Sequence, residues 1–596
     1  VRRYLKKIFH KISAVASLEF HHIRRGIQSL RFFQLAGIPA LYRHMRLAEK
    51  IIAGLLLIII VADLGYLVHH SYIDHSHIEP SYGGSYTEGM VGGAQYINPL
   101  LAQSQTDKSL SNLVYSGLYK YDDRGNLVPD LAASLPVISS NQRQFTITLK
   151  PNLTWQDGNA LTADDVVFTI QAIQNPNYQS PYLKDWQNTT VKKIDAHTVE
   201  LDNQDISAPF INNFTIGILP QHLWKNVSPG AFANSGLNLE PIGSGPFAIK
   251  EISRDSTGQI NKLTFSAFKN YAGGQPYIQT VNIKFYPDQS SAVLALHSNQ
   301  IEAFGYTPFD QTNHFGAKTD LRLSKISTYS YQAVFFNTGI NGDSAVLGDH
   351  VVRAALTEAT DRQSLINNIY NGQAETAYGP FGPSQIGYDP SIQNINPFNV
   401  SAANTALDAD GWTRDAKTGM RMKKNVALAF TVTTNDFTLN QQLATALQKQ
   451  WAQVGANVSV KILSTADLTK VIQSRSYQAL LFSENPGFDP DPFVFWHSSQ
   501  VQNPGLNLSA YKNTAADKLI SAARSTFDGS TRIKDYQQFQ QVLLTDAPAV
   551  FLLRPDYIYV QRASLQGLQI NQLANPQDRF YDIVHWYVKA KRVLNK

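Results

Sequence analysis

The sequence predicts a mixed α/β body in two lobes, carried behind an N-terminal membrane-spanning helix. Three observations carry this expectation. Residues 426–482 alternate strand, helix, strand, helix, strand, a pattern that demands parallel pairing in an α/β sheet. The 596 residues exceed what one hydrophobic core accommodates,. An apolar run at 51–61, IIAGLLLIIIV, follows a strongly basic segment.

The alternation is explicit in the side chains. Val426, Leu428, Phe430 and Val432 repeat with period two and predict a strand over Val426–Val432,. Leu443, Leu447, Trp451 and Val454 keep helical spacing over Asn440–Val454, and Gly455 stands at the C-cap,. Val458, Val460 and Ile462 form the next strand, Ala466–Gln473 the next helix and Tyr477–Phe482 the third strand,. Upstream, Asp349 caps a helix through Ala359, and Asp361 opens another that ends at Asn371-Gly372,. Gln144–Leu149 and Lys262–Phe268 alternate as strands, whereas YGPFGPSQIGYDP (378–390) reads as a long loop or a crossover between lobes,.

Charge divides the chain. Of 51 Lys/Arg and 46 Asp/Glu in all, residues 1–50 hold 11 and 2, leaving 40 and 44 for the rest. A basic tail on a mildly acidic body is not the profile of a nucleic-acid-binding domain, and no nucleic-acid partner is expected. It fits a segment beside an anionic leaflet. The apolar stretch continues past Asp63 to Val68, so residues 51–70 are expected to cross the bilayer once,. The positive excess on the N-terminal side places that side in the cytoplasm and the body outside. Fifty preceding residues and the lack of a small-x-small site favour a retained anchor over a cleaved signal peptide,. A patch in the tail, IFHKISAVASLEFHHIRRGI (8–27), is loosely amphipathic and reads equally as a membrane-surface helix or a solvated tail,.

Residues 71–93 are expected to be a linker. The four histidines of HHSYIDHSH (69–77) lie in it without the fixed geometry a metal site needs, and SYGGSYTEGMVGG (81–93) ends it,. No metal and no cofactor are expected. The chain has no cysteine, which excludes disulfides, thiolate metal sites and cysteine nucleophiles,.

LTWQDGNALTADDVVFTI (153–170) tests whether the body is an enzyme, because its acidic pair could be catalytic. Helix chemistry accounts for both acids. Thr162 is an N-cap with Asp165 three residues on, as in a capping box, and Asp164 adds charge where the helix dipole favours it,. Asp157-Gly158 marks a turn over Trp155, and no partner base stands nearby,. Other enzyme motifs also fail. Gly243-Ser244-Gly245 lacks nucleophile-elbow spacing, the Ser266…Lys269 pair falls on a strand, and H-E-x-x-H is absent,. The chain is not expected to be an enzyme.

The same stretch, extended to QFTITLKPNLTWQDGNALTADDVVFTI (144–170), resembles a segment of the extracellular solute-binding proteins of family 5, the peptide/nickel class serving ABC importers. In the family's order, SNLVYSGLYKYDDRGNLVPDLAASLP (111–136), PIGSGPFAIK (241–250), FKNYAGGQPYIQTVNIKFYPD (268–288) and HVVRAALTEATDRQSLINNIYNG (350–372) resemble it too. The resemblance runs from about residue 85 to 590 and implies a bilobal periplasmic-binding-protein-like fold of type II, of the large cluster C type. It implies lobe I from 94–120, 241–330 and 556–596, a subdomain inserted at 121–240, and lobe II at 331–555. It implies a monomer that captures an oligopeptide by lobe closure and delivers it to an ABC permease. Nickel chelate, haem or another small solute remains an alternative ligand, and a sensor or scaffold uncoupled from transport an alternative role.

Candidate ligand-binding residues lie in two segments. SENPGFDPDPFVFWHSS (483–499) reads as a loop off the carboxyl end of a strand, where α/β sheets place ligands,. It offers Glu484, Asp489 and Asp491 beside Phe488 and Trp496. The resemblance implies that an acid here pairs with a peptide's α-ammonium, and either Glu484 or Asp489 takes that position. YSYQAVFFNTG (329–339) offers Tyr329, Tyr331 and Asn337 as hinge and pocket wall.

Overall fold

The computed structural model describes residue 43 and residues 45–305, 320–339 and 345–595. The tail's amphipathic patch lies outside them. The chain divides into two units, residues up to Glu79 together with Ala590 onward, and Pro80–Lys589.

Among the described residues, the first unit contains one helix, Leu47–Asp74, with no residue buried within the protein. It is long and apolar enough to cross a membrane. Strand Ser76–Pro80 follows and pairs with Ala590–Leu594. Two expectations are corrected here. Part of the predicted linker is a strand, and the chain's last strand belongs to this ribbon rather than to lobe I.

Among the described residues, the second unit contains two large sheets with separate cores and three minor sheets. The larger has eight strands, in the order Gln572–Leu573, Leu321–Thr328, Tyr557–Arg562, Ala303–Gly305, Ser85–Val91, Thr280–Tyr286, Ile260–Ala267 and Phe247–Arg254. Ser85–Val91 pairs parallel with both neighbours, with Thr280 opposite Ser85 and Ala303 opposite Glu88. This segment was expected to be linker because of its glycines. Gly89 is a packing glycine instead, since a Cβ there would meet Ile301 Cδ1 at 2.6 Å. Between residues 121 and 240, a four-stranded antiparallel sheet joins Val137–Ile138, Gln144–Thr148, Thr198–Asn203 and Thr189–Lys193. Helix Ala163–Gln174 packs against it. Its predicted capping box is present: Thr162 N donates to Asp165 Oδ2 at 2.8 Å, and Thr162 Oγ1 accepts from Asp164 N at 3.3 Å. Trp155 is fully buried beneath the Asp157-Gly158 turn, where, against the expectation that no base stands nearby, His222 Nε2 lies 2.7 Å from Asp157 Oδ2; of the acidic pair, Asp165 closes the capping box and Asp164 pairs with Lys193 at 2.7 Å.

The smaller sheet has six strands, in the order Ala374–Thr376, Ala549–Pro555, Tyr331–Phe336, Ala479–Glu484, Ala429–Asn435 and Asn457–Leu463. The predicted βαβαβ unit forms its parallel part, with Asn457 opposite Ala429 and Ala479 opposite Val432. Helices Thr438–Ala452 and Thr465–Ser474 are the crossovers, and Gly455 takes φ +79° after the first. Boundaries shift by one to three residues, and two of the shifts have a visible cause. Val426–Ala427 leaves the main sheet for a small one with Arg421–Lys423, because Leu428 N donates to Arg421 O at 2.8 Å. The third strand runs two residues further than predicted, to Glu484, because it pairs with Tyr331–Phe336 through Tyr331 opposite Glu484. Predicted helices at 349–372 appear as His350–Glu358, capped by Asp349, and Arg362–Ile369, capped by Asp361. One core lies on each face of this sheet.

Candidate functional site

Two chain crossings connect the sheets, at Tyr329-Ser330 and at Asp556. They lie side by side. Leu321–Thr328 pairs antiparallel with Tyr557–Arg562 in one sheet, and Tyr331–Phe336 pairs antiparallel with Ala549–Pro555 in the other. Thr328 Oγ1 donates to Pro555 O at 2.8 Å where the four strands meet. A two-stranded ribbon therefore passes continuously from lobe I, the eight-stranded side, to lobe II. Such an arrangement concentrates any relative motion in a few residues.

Among the described residues, the lobes touch beyond this hinge through a small set of contacts. Phe488 from lobe II stacks on Tyr121 of lobe I with ring centroids 4.3 Å apart. Its edge meets Tyr329 at 5.5 Å, and Tyr581 lies at 6.5 Å. Gly125 closes the fourth side, where a Cβ would meet Phe488 Cδ1 at 2.8 Å. Gly125 holds φ +79° at the turn between strands Tyr119–Tyr121 and Leu127–Pro129, so glycine serves both the turn and the close approach,. Asn485 Nδ2 donates to Ala574 O at 2.7 Å. Farther out, Phe527 packs edge-on to Phe145 at 5.7 Å, and its N–H donates to Gln142 Oε1.

The candidate acids do not share one environment. Glu484 is 4% exposed and faces the core of lobe II, where the Tyr331 hydroxyl donates to its Oε2. Burial pushes its pKa up to about 8, so it is mostly neutral at pH 7,. Asp489 accepts from Arg532 Nη2 at 2.7 Å, and Asp491 lies 3.2 Å from Arg524 Nε. Burial holds the Asp491 carboxyl above its ordinary range, with Arg524 opposing that shift. Tyr329 donates to Gln572 Oε1 at 2.5 Å and sits at the hinge. Asn337 and Trp496 are placed away from the gap. Asn337 Nδ2 donates to the carbonyls of Arg475 and Tyr477, and Trp496 packs on Phe335 and Phe551. The structure thus brings Phe488 and Tyr329 to the interlobe region, with Asp489 close enough to act on the Tyr121 hydroxyl of lobe I, and leaves Glu484, Tyr331, Asn337 and Trp496 within lobe II, where Asp491 also has its arginine partner.

Lobe I contributes residues that were not among the sequence candidates. A cavity of about 170 Å³ lies at the carboxyl ends of Ser85–Val91 and Ala303–Gly305, the end at which α/β sheets bind ligands. Its lining includes Glu88, Gln105, Ser109, Phe304, Tyr557 and Arg579. Glu88 is fully buried and pairs with Arg579 at 2.7 Å, and the Tyr559 hydroxyl donates to its other oxygen at 2.8 Å. Asp578, next in the same turn, accepts from Asn575 N at 2.6 Å, and its buried side chain lies against the Tyr581 hydroxyl. Burial pushes the Asp578 carboxyl up to about 7. These residues come from distant parts of the chain and carry no shared local motif. Among the described residues, no group of three or more His, Asp or Glu side chains is arranged to hold a metal ion.

Residues 126–505 match the model of the bacterial extracellular solute-binding proteins, family 5 middle region. The chain belongs to this family. Among curated family 5 relatives is the oligopeptide-binding protein AppA of Bacillus subtilis, 29% identical over 523 residues, which are 86% of this chain and 92% of AppA. The solved structure of that protein in complex with a nonapeptide superposes with a TM-score of 0.67 at 27% identity, covering 86% of this chain and all of AppA. The substrate-binding protein CtaP of Listeria monocytogenes superposes at 0.74 with 24% identity, covering 87% of this chain and all of CtaP, which supports the shared fold. The family's members are solute-binding proteins, and the bilobal fold expected from the sequence is the one observed.

Proposed function

We propose that this chain is a membrane-anchored, extracytoplasmic substrate-binding protein of an ABC importer, which captures oligopeptides between its lobes and hands them to a permease. The observation that carries the reading is the hinge: two lobes with separate cores, joined by one ribbon and, among the described residues, touching elsewhere at few points. A ligand that contacts both lobes binds the closed arrangement better than the open one and shifts the equilibrium accordingly. The oligopeptide assignment is supported by the name of the Bacillus relative and by the nonapeptide in its structure. Anchoring is supported by the Leu47–Asp74 helix, and it would raise the effective concentration near a permease. The chain acts by gripping and releasing, with no chemical turnover.

The test is thermal unfolding of the full chain in detergent against pools of random peptides, with mass spectrometry of whatever co-purifies. A concentration-dependent rise in the unfolding temperature is expected. If peptides leave it unmoved while a non-peptide solute raises it, the oligopeptide assignment is wrong.

A further inference from the structure

The ribbon at the end of the apolar helix has an exposed face of unusual chemistry. Strand Ser76–Pro80 follows the helix after a single residue and is tied back to it. Arg592 Nη1 donates to Ile73 O at 3.2 Å and to Ser76 Oγ at 3.0 Å. The Tyr72 hydroxyl donates to Arg592 O at 3.4 Å, and Asn595 N donates to His75 O at 2.8 Å. Side chains alternate along a strand, so Ile78 lies on the face of Ser76, and Leu594 on the face of Arg592. The Arg592–Ser76 bond makes these one face. The other carries His77, Glu79 and Lys591, with Lys591 3.9 Å from Glu79. The first face is apolar with one cation: Ile78 is 58% exposed and Leu594 48%, while Tyr72 and Ile73 are also exposed at the helix end.

Position supplies the partner. If residues 51–70 fill the hydrocarbon core, residues 71–74 rise about 6 Å beyond it at helical pitch. The headgroup layer is roughly 5–7 Å deep per leaflet. Ile78 and Leu594 then sit at its outer edge, with Tyr72 at the level where tyrosines concentrate. We infer that the Ser76–Pro80/Ala590–Leu594 ribbon rests on the outer leaflet, with Ile78 and Leu594 among the headgroups and Arg592 on lipid phosphate. Continuity with the apolar helix and the charge of Arg592 single out lipid over a protein partner. The inference rests on the anchored reading above and adds to it a foot that fixes how the stalk leaves the membrane.

The absence of cysteine allows a clean test. Single-cysteine variants Ile78→Cys and Leu594→Cys of the full chain, labelled with a polarity-sensitive fluorophore, are reconstituted into phosphatidylcholine/phosphatidylglycerol vesicles. Leu57→Cys, within the helix, and Ile462→Cys, exposed on lobe II, are the references. The probes at 78 and 594 are expected to shift to the blue and to be quenched by lipids carrying a headgroup nitroxide, while the probe at 462 is not. Adding Arg592→Gln is expected to weaken headgroup contact about fivefold. If the probe at 57 is quenched by acyl-chain-brominated lipid but those at 78 and 594 behave like 462, the foot is refuted and the anchor stands. If the probe at 57 is not quenched, the anchored reading fails and the foot with it.

Discussion

Replacing Phe488 with alanine removes one ring and leaves the rest of lobe II in place. That ring is stacked on Tyr121 at 4.3 Å and meets Tyr581 at 6.5 Å, both residues of lobe I. Its edge-on contact with Tyr329 lies on the hinge. The lobe I contacts join the two lobes, so their loss acts on how the lobes are held together rather than on either core. An aromatic pair is worth about 0.5–1.5 kcal/mol beyond its buried area, and withdrawing a half-buried ring from water contributes about 1 kcal/mol more. The closed arrangement should lose about 1.5–2.5 kcal/mol in all, roughly ten- to seventyfold in its ratio to the open one. Dyes on an Ile194→Cys/Ile462→Cys pair, one in each lobe, report that ratio by single-molecule energy transfer. The expected result is a new low-transfer population in Phe488→Ala, which saturating peptide returns to high transfer. Gly125→Ala, whose new Cβ strikes Phe488, should shift the populations in the same direction. If Phe488→Ala leaves the transfer distribution where the parent chain has it, the ring does not hold the lobes together and the reasoning fails.

Glu484→Gln tests the buried acid through pH. Its pKa is raised from 4.5 to about 8 in the folded chain, so its contribution is fully present below about 4.5 and is lost as pH rises towards 8. The variant should match the parent in denaturant stability near pH 4 and exceed it, by on the order of a few kcal/mol, at pH 8; a difference that does not change with pH would contradict the burial argument. Glu88→Gln strands the buried Arg579 guanidinium and should lower lobe I stability by about 3–5 kcal/mol in urea titration, and a loss well below that range would mean that Arg579 finds another acceptor. N-acetylation of a bound peptide should weaken binding less than tenfold by calorimetry. Pairing of an ammonium with an available carboxylate would contribute about 1.5–3 kcal/mol, and a loss of that size would show that Asp489 or Asp491 exchanges its arginine for the ligand.

Local chemistry was legible in the sequence wherever one residue's role depends on near neighbours. The Thr162–Asp165 box and the caps at Asp349 and Asp361 appear where expected, and the 426–482 alternation appears with its ends shifted to 429 and 484. What misled were features whose meaning is set by distant chain. The glycines of 83–93 read as linker, but Gly89 answers to Ile301 across the fold. Glu484 read as the first acid of a loop, but pairing with Tyr331, 153 residues away, draws it into the sheet. The interlobe contact joins residues 121, 488 and 581, and no local spacing can place three such rings together. Phe488 was nominated for its composition and position, and Tyr121 and Tyr581 had neither signal.

The distribution of charge bears on how closure works. Asp489 and Asp491 are each paired with an arginine of their own lobe, and Glu484 is mostly neutral within the core. Those pairs are the same whether the lobes are open or closed. What changes on closing is the stacking of Phe488 on Tyr121, the packing of Phe527 on Phe145 and neutral hydrogen bonds from Asn485 and to Gln142. Among the described residues, no ion pair joins the lobes, although Arg524 acts on Asp185 across the gap without contact. Exposed charges more than a Debye length apart are screened, about 30 Å at 0.01 M and 3 Å at 1 M, whereas apolar contacts are not weakened by salt. The open–closed ratio of the unliganded chain should therefore stay nearly constant from low to physiological sodium chloride. An energy-transfer titration in which closure collapses over that range would mean that Asp185 and Arg524, rather than the aromatic rings, hold the lobes together.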